Sequence, residues 1–183
     1  MPVTSKAFSR KGQTEPSADL GREAVEEMSN ELRRLLADVF ALYLKTKNFH
    51  WHMTGRHFRD YHLLLDEQAD QIFAMTDPIA ERARKLGGRA LRSIGEICRE
   101  QRLRDSDRDS LSAEEMLSEL RSDNRELTRF LRLIHGLCER YNDVASASLI
   151  EVWIDETERR RWFLAEVLDT SGKGLDGFRC SER

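Results

Sequence analysis

Proline is scarce in this 183-residue chain, with three residues, and glycine is modest at ten. Runs of β-branched residues are few. These shortages count against turn-rich β architectures and leave an all-α fold as the expectation. Cysteine is equally sparse. Cys98, Cys138 and Cys180 are odd in number, widely spaced and include no CxxC pair. That pattern is neither a disulfide framework nor a thiolate zinc site, and it reads as reduced thiols of a cytoplasmic protein. No stretch approaches the roughly 18 apolar residues of a membrane span. The opening segment lacks the apolar centre of a signal peptide, so secretion is not expected. Charge of one sign is missing too: the formal net charge is -3, so the body is no electrostatic trap for nucleic acid. No internal repeat is evident.

What the chain does have is charge of both signs (34%) beside 39% apolar residues, the balance of long amphipathic helices around one sizeable core. Residues 1–21 read as a flexible polar tail, 22–170 as a helical bundle and 171–183 as a second flexible tail. Val25, Met28, Leu32, Leu35, Val39 and Leu42 recur every three or four residues and predict helix A from about Arg22 to His52. Met53 to Arg56 reads as a tight turn. Helix B is expected from about His57 to Leu86. Its buried stripe is Phe58, Tyr61, Leu65, Ala69, Ile72, Phe73, Ile79 and Ala83, and Gly87-Gly88 stops it. A short extra helix is expected near Ser93–Cys98, followed by a solvated loop.

Ser112 and Glu115 form a capping box that starts helix C, with Met116, Leu120, Leu127, Phe130, Leu131 and Ile134 inward. Asn142-Asp143 is a turn in which Asp143 can cap helix D. Val144, Ile150, Ile154, Phe163 and Val167 are the expected inward positions of helix D. Trp153 and Trp162 are expected in the core or at an interface. The result is a ferritin-like four-helix bundle with a short extra helix in the long B–C connection, or a simple up-down bundle as the alternative.

The chemistry-bearing residues gather around the A–B turn and along helix B. His50 lies before the turn and His62 about as far after it, so a helical hairpin brings the two imidazoles to one level. Asp66 follows His62 at i+4 on the same face, and Asp77 and Glu81 form a second i, i+4 pair. Imidazole with carboxylate suits iron, with zinc or manganese possible. Asp77, however, stands fifteen residues beyond His62, about 22 Å along a continuous helix. Either the chain carries two separate half-sites, or two subunits meet antiparallel about a twofold axis and complete each other's sites.

Single-chain di-iron bundles use Glu-x-x-His motifs. The residues three before the histidines are Lys47, Phe49, Thr54, Arg59 and Arg132. A single-chain di-iron oxygenase or large ferritin is therefore disfavoured. His52, His57 and His135 match no ligand position and read as surface or packing residues. Pro78 removes a hydrogen bond to the Ala74 carbonyl, at about 3 kcal/mol in a regular helix. It also biases Asp77 away from helical dihedrals and predicts a kink between the candidate ligands.

The run Tyr43-Leu44-Lys45-Thr46-Lys47-Asn48-Phe49-His50-Trp51-His52 is followed by His62 with Asp66, Asp77 with Glu81-Arg82, and Leu86-Gly87-Gly88. Together these resemble the signature of the Dps (miniferritin) family, over about residues 22 to 170. The resemblance implies a ferroxidase site shared between subunits, with His50 and His62 from one chain and Asp77 and Glu81 from its partner. Asp66 would support or bind the second ion, and Trp51 would sit beside the site. The resemblance further implies a hollow homo-oligomer of twelve subunits, oxidation of Fe(II) chiefly by hydrogen peroxide, and storage of ferric mineral inside. It places an acidic threefold pore near the C–D turn, where Asp143 and Glu151 fall. DNA is a possible partner through Lys6, Arg10 and Lys11 of the tail, diluted by Glu15, Asp19 and Glu23. A plain helical scaffold or a zinc buffer is the third reading.

Overall fold

A computed structural model describes residues 20–171 of the chain. The helices are α1 (Arg22–His52), α2 (Phe58–Ala74), α3 (Thr76–Lys85), α4 (Ile94–Glu100), α5 (Ala113–Tyr141) and α6 (Val144–Ser171). There is no strand among the described residues. α1 packs along α2, α3, α4 and α5, and α5 packs along α6. The four long rods of the bundle are thus α1, the α2–α3 pair, α5 and α6, with α4 as the extra helix in the connection. The expected core is there: Met28, Leu32, Leu35, Val39 and Leu42 of α1 meet Leu65, Ile72 and Ile79 and the α5 residues Leu120, Leu127, Leu131 and Ile134. Trp153 joins this core. Both terminal tails and Cys180 lie outside the described residues.

The second rod is not one continuous helix. It breaks at Met75, two residues before Asp77, whereas a single helix B was expected. Pro78 explains the place. It becomes the third residue of α3, where no intrahelical donor is needed. Met75 N–H donates to the Ile72 carbonyl at 3.1 Å in a tightened turn, and Thr76 Oγ1 donates to the Phe73 carbonyl at 2.7 Å. Met75 keeps right-handed helical dihedrals (φ -74°, ψ -22°), so the break is a local tightening. Asp77 itself stays helical.

α3 ends as the glycines require. Gly87 has φ +92°, and the Gly88 N–H reaches the Ala83 carbonyl at 2.9 Å, the signature of a left-handed helix cap. Gly88 also meets α1: a Cβ there would lie 2.1 Å from Ser29 Cβ. The long connection is anchored at its far end by Asp38 of α1, which is fully buried. Its carboxylate accepts from the Arg102 N–H at 2.5 Å, the Leu103 N–H at 3.0 Å and Arg102 Nε at 2.8 Å. Burial pushes the Asp38 carboxyl above its usual range against the pull of Arg102.

The capping box at Ser112 and Glu115 forms as expected. Asn142 takes the left-handed conformation (φ 55°) that turns the chain from α5 into α6. Asp143 caps α6, accepting from the Ser146 N–H at 3.1 Å and from Ser146 Oγ at 2.5 Å, and Arg82 Nη2 of α3 donates to it at 2.6 Å. With Asp143 only 4% exposed, its carboxylate is committed inside the subunit. That is the capping alternative for Asp143, in place of a pore lining. Glu151 is held by His135, whose Nε2 lies 2.9 Å from its Oε1.

Some positions expected inward face out. Phe58 (44%), Phe73 (50%), Val144 (67%) and Phe163 (39%) are exposed. Helical spacing marks an apolar stripe without saying whether this chain or another covers it. Asp143 provides a direct stability test. Asp143→Ala removes a cap and leaves Arg82 half-buried without its partner, so it should lower the unfolding free energy by about 3–5 kcal/mol in denaturant titrations. A loss below about 1 kcal/mol would mean that the pair does not hold the α3–α6 corner.

Candidate metal centre

Gly55, at φ +107°, lets the chain reverse between α1 and α2. The reversal sets His50, in the last turn of α1, against His62, in the second turn of α2. Their rings stack with centroids 3.7 Å apart and planes 22° from parallel. Two crossed hydrogen bonds fix them. His50 Nδ1 lies 2.9 Å from the His62 carbonyl oxygen, and His62 Nδ1 lies 2.9 Å from the His50 carbonyl oxygen. A carbonyl only accepts, so both Nδ1 atoms carry hydrogen. In the neutral rings each Nε2 then holds its lone pair, the tautomer a metal ligand needs.

Asp66 stands one turn beyond His62, with Oδ1 3.7 Å from His50 Nε2. It has a prior commitment that sequence reasoning missed: Lys47 Nζ donates to Asp66 Oδ1 at 2.6 Å. That hydrogen bond holds the Asp66 carboxyl below its usual range, against the opposing effect of desolvation. The signal was available in the chain, because Lys47 precedes His50 by three residues and so shares its helix face. An ammonium thus occupies the cationic neighbourhood of the very carboxylate that a second metal ion would use.

Asp77 and Glu81 do not join this group. Both are exposed on α3, and Glu81 pairs with Lys85 at 2.9 Å. Along the rod Asp77 stands about 22 Å and Glu81 about 28 Å beyond His62. Among the described residues no group of three or more His, Cys, Asp or Glu side chains is arranged to hold one metal ion. The single chain therefore presents two oriented imidazoles and, far away, two exposed carboxylates, one of them paired with Lys85.

Trp51 follows His50 and is 59% exposed. It lines a groove of about 590 Å³ between α1 and α4, together with Phe40, Tyr43, Leu44, Ile94 and Ile97. Tyr43 continues this apolar surface to Phe73 of α2, with ring centroids 5.0 Å apart. His52 and His57 are exposed. Cys98 is exposed at the groove, whereas Cys138 is buried and its thiol is pushed up to about 12 by desolvation.

Comparison with known proteins agrees with this architecture. A family model described as a ferritin-like domain matches residues 29–172. The curated "DNA protection during starvation protein 1" of Deinococcus radiodurans is 29% identical over 150 residues, which is 82% of this chain and 72% of that protein. The solved structure of Dps from Thermosynechococcus elongatus superposes with a TM-score of 0.78 at 26% identity, covering 86% of this chain and 98% of that one. DpsC from Streptomyces coelicolor gives a TM-score of 0.81 at 25% identity, covering 85% and 91%. The fold is that of the ferritin-like helical proteins. Within that class the chain belongs to the Dps family.

If Asp66 serves a metal ion, the Lys47–Asp66 pair predicts that this position is the weaker one. Lys47→Met should tighten the weaker of two Co(II) binding events by about tenfold in anaerobic titrations of the assembled protein. Adding Asp66→Ala should cancel that gain. An unchanged titration would show that the ammonium does not compete with metal there.

Proposed function

We propose that the chain is the subunit of a cytoplasmic ferroxidase and iron store, a closed homo-oligomer of twelve copies, with Fe(II) as substrate and ferric mineral as cargo. The observation that carries this reading is the crossed pair of Nδ1 hydrogen bonds. It prepares His50 and His62 as ligands inside a chain that supplies too few further donors nearby. In this reading a second copy, antiparallel across a twofold axis, brings its own Asp77 and Glu81 to face them, and the same contact forms two equivalent sites. The exposed groove with Trp51, Leu44 and Ile94, continued by Phe73, supports it as surface that a partner copy would bury.

The donor set fits the substrate. Imidazoles and carboxylates hold Fe(II), and the harder carboxylates also accept Fe(III) and can pass it on. Zinc can take the same positions without being oxidised. Hydrogen peroxide is the chief oxidant in this proposal. Two Fe(II) give one electron each, the O–O bond breaks, and two protons complete two waters beside two Fe(III). Consuming both reactants together limits hydroxyl radical. In this proposal Trp51, the residue after His50, would sit beside the completed site.

Complementation tests the shared site. The His50→Ala/His62→Ala chain and the Asp77→Ala/Glu81→Ala chain should each lose peroxide-dependent Fe(II) oxidation by 10- to 100-fold or more, on the order expected for lost ligands. Co-assembled one to one, they should recover about one quarter of the wild-type rate, because hybrid twofold pairs keep one intact site. If neither variant slows oxidation, the assignment fails. If both do but mixing restores nothing, the site is not shared across subunits. Tight zinc uptake without Fe(II) oxidation would favour a zinc buffer.

A second reading rests on the name of the Deinococcus relative, which speaks of DNA protection. In this chain the candidate contacts are Lys6, Arg10 and Lys11, outside the described residues. Many tails on one shell would bind through avidity and counter-ion release. The expected result is a gel shift that weakens with salt and disappears when residues 1–14 are deleted. No shift at low salt with the full chain would dispose of this reading.

A further inference from the structure

Asp38 pairs with Arg102, Asp143 with Arg82, and Lys45 with Asp123 and Glu119. Arg160 of α6 has no ion pair among the described residues, although it is the largest fully buried side chain, 1% exposed. Its Nη1 is buried and has no hydrogen-bond partner. Desolvation pushes the guanidinium down to about 10, so it stays ionised at neutral pH. A buried charge of this kind is poor for stability, and a well-packed apolar side chain of similar volume often does as well or better. The contacts of Arg160 point to a different use.

Arg160 Nε donates to Asn124 Oδ1 of α5 at 3.1 Å, and Nη2 donates to Thr157 Oγ1 at 2.8 Å. These two bonds aim the guanidinium. Nη2 also reaches Met75 Sδ at 3.7 Å, at the residue where α2 gives way to α3. Two turns earlier, Gln68 Nε2 of α2 donates to the Arg160 carbonyl at 3.3 Å. Arg160 thus grips the second rod with both its backbone and its side chain. The grip falls where the rod lacks a backbone bond, because Pro78 has no N–H for the Ala74 carbonyl. At the far end of α3, Arg82 donates to Asp143 at 2.6 Å and to Ser146 at 2.7 Å, at the start of α6. One helix therefore anchors α3 at both ends, and Asp77 and Glu81 lie between the anchors.

We propose that Arg160 is a positioning residue for Asp77 and Glu81: its guanidinium on Met75 fixes the start of α3, as the Arg82–Asp143 pair fixes its end. The inference rests on the proposed role of these two acids as ligands completing the partner copy's site. Ligands of that kind must be held to within about 0.5 Å of the productive geometry. Neither acid is tied to another helix: both are exposed, and Glu81 pairs with Lys85 on α3 itself. The backbone of α3 has to place them, and Arg160 holds that backbone where it begins.

Hydrogen exchange and metal titration of the full-length assembly test this. Arg160→Met keeps an unbranched side chain and removes the hydrogen bonds. The Met75 and Ile79 amides, which bond to the Ile72 and Met75 carbonyls, should exchange about tenfold faster in the metal-free protein. The Leu86 amide, on the Arg82 carbonyl, should keep its rate. Anaerobic Co(II) affinity at the shared site should fall by about tenfold, and the thermal midpoint should not fall. Unchanged exchange at Met75 and Ile79 overturns the proposal. So does faster exchange throughout the bundle with a lower midpoint, which would mark a structural role alone. Asp77→Ala/Glu81→Ala in the same titration separates this inference from the reading beneath it. If that variant binds Co(II) like the wild type, the acids are not ligands and both fall. If it binds weakly while Arg160→Met binds like the wild type, the acids are ligands and the positioning role alone falls. Should Arg160→Met not assemble, Met75→Leu keeps the volume and removes the sulfur acceptor. Faster Ile79 exchange with weaker Co(II) binding then supports the proposal, and wild-type values for either overturn it.

Discussion

A helix is a ruler, and this one sets the terms for the site. A rise of about 1.5 Å per residue separates His62 from Asp77 by about 22 Å in a continuous rod. The break at Met75 tightens one turn without folding the rod back, because Met75 keeps helical dihedrals. No side-chain motion closes that gap. The two halves of the proposed ligand set must therefore serve different ions or be joined by another copy. The same rods leave Leu44, Trp51 and Phe73 exposed, and Ile94 of α4 extends that apolar surface. An incomplete ligand set and an unburied apolar surface both ask for a partner, and a twofold axis would supply one for both.

At the other scale, the orientation of the two candidate imidazoles depends on backbone carbonyls. Neither imidazole is oriented by a carboxylate on its Nδ1 side. Each is oriented by the backbone of the opposite helix. That arrangement ties ligand geometry to the α1–α2 turn, so Gly55, which touches no metal ligand, controls their register through its positive φ. Lys47 would then make the proposed site asymmetric: Asp66, already paired with an ammonium, would have to give it up to take a metal ion.

The fold was legible in the sequence because its signals are local. The three- and four-residue spacing of Met28, Leu32, Leu35, Val39 and Leu42, the Ser112–Glu115 box and the Gly87 stop each act within one or two turns, and each appears where it was expected. Pro78 was visible, but its consequence was not. A proline tolerates a helix start as well as it disrupts a helix interior, and only the packed rod shows that the chain restarts at Thr76. Of the site, the sequence carried the pairing of His50 with His62 across the hairpin and the remoteness of Asp77. The stacking, the crossed bonds and the Lys47 clamp depend on the angle between two helices, which periodicity does not encode. Phe58, Phe73 and Val144 were placed inward for the related reason that an interface stripe and a core stripe have the same period.

Among the described residues no cluster is arranged to hold a metal ion, and the buried polar layer of the bundle shows why its interior does not supply one. Ferritin-like di-iron bundles draw their ligands from Glu-x-x-His pairs on facing helices. Here Thr157 and Arg160 occupy an i, i+3 pair on α6, and Arg160 reaches Asn124 of α5. Gln68 of α2 closes the layer on the Arg160 carbonyl. These donors are neutral, and the charge among them is positive. A divalent cation entering that layer would meet repulsion in a low-dielectric interior and find no carboxylate to offset it. The guanidinium at the centre of this layer makes it hostile to Fe(II), and the candidate imidazoles and acids stand elsewhere, at the α1–α2 turn and on α3.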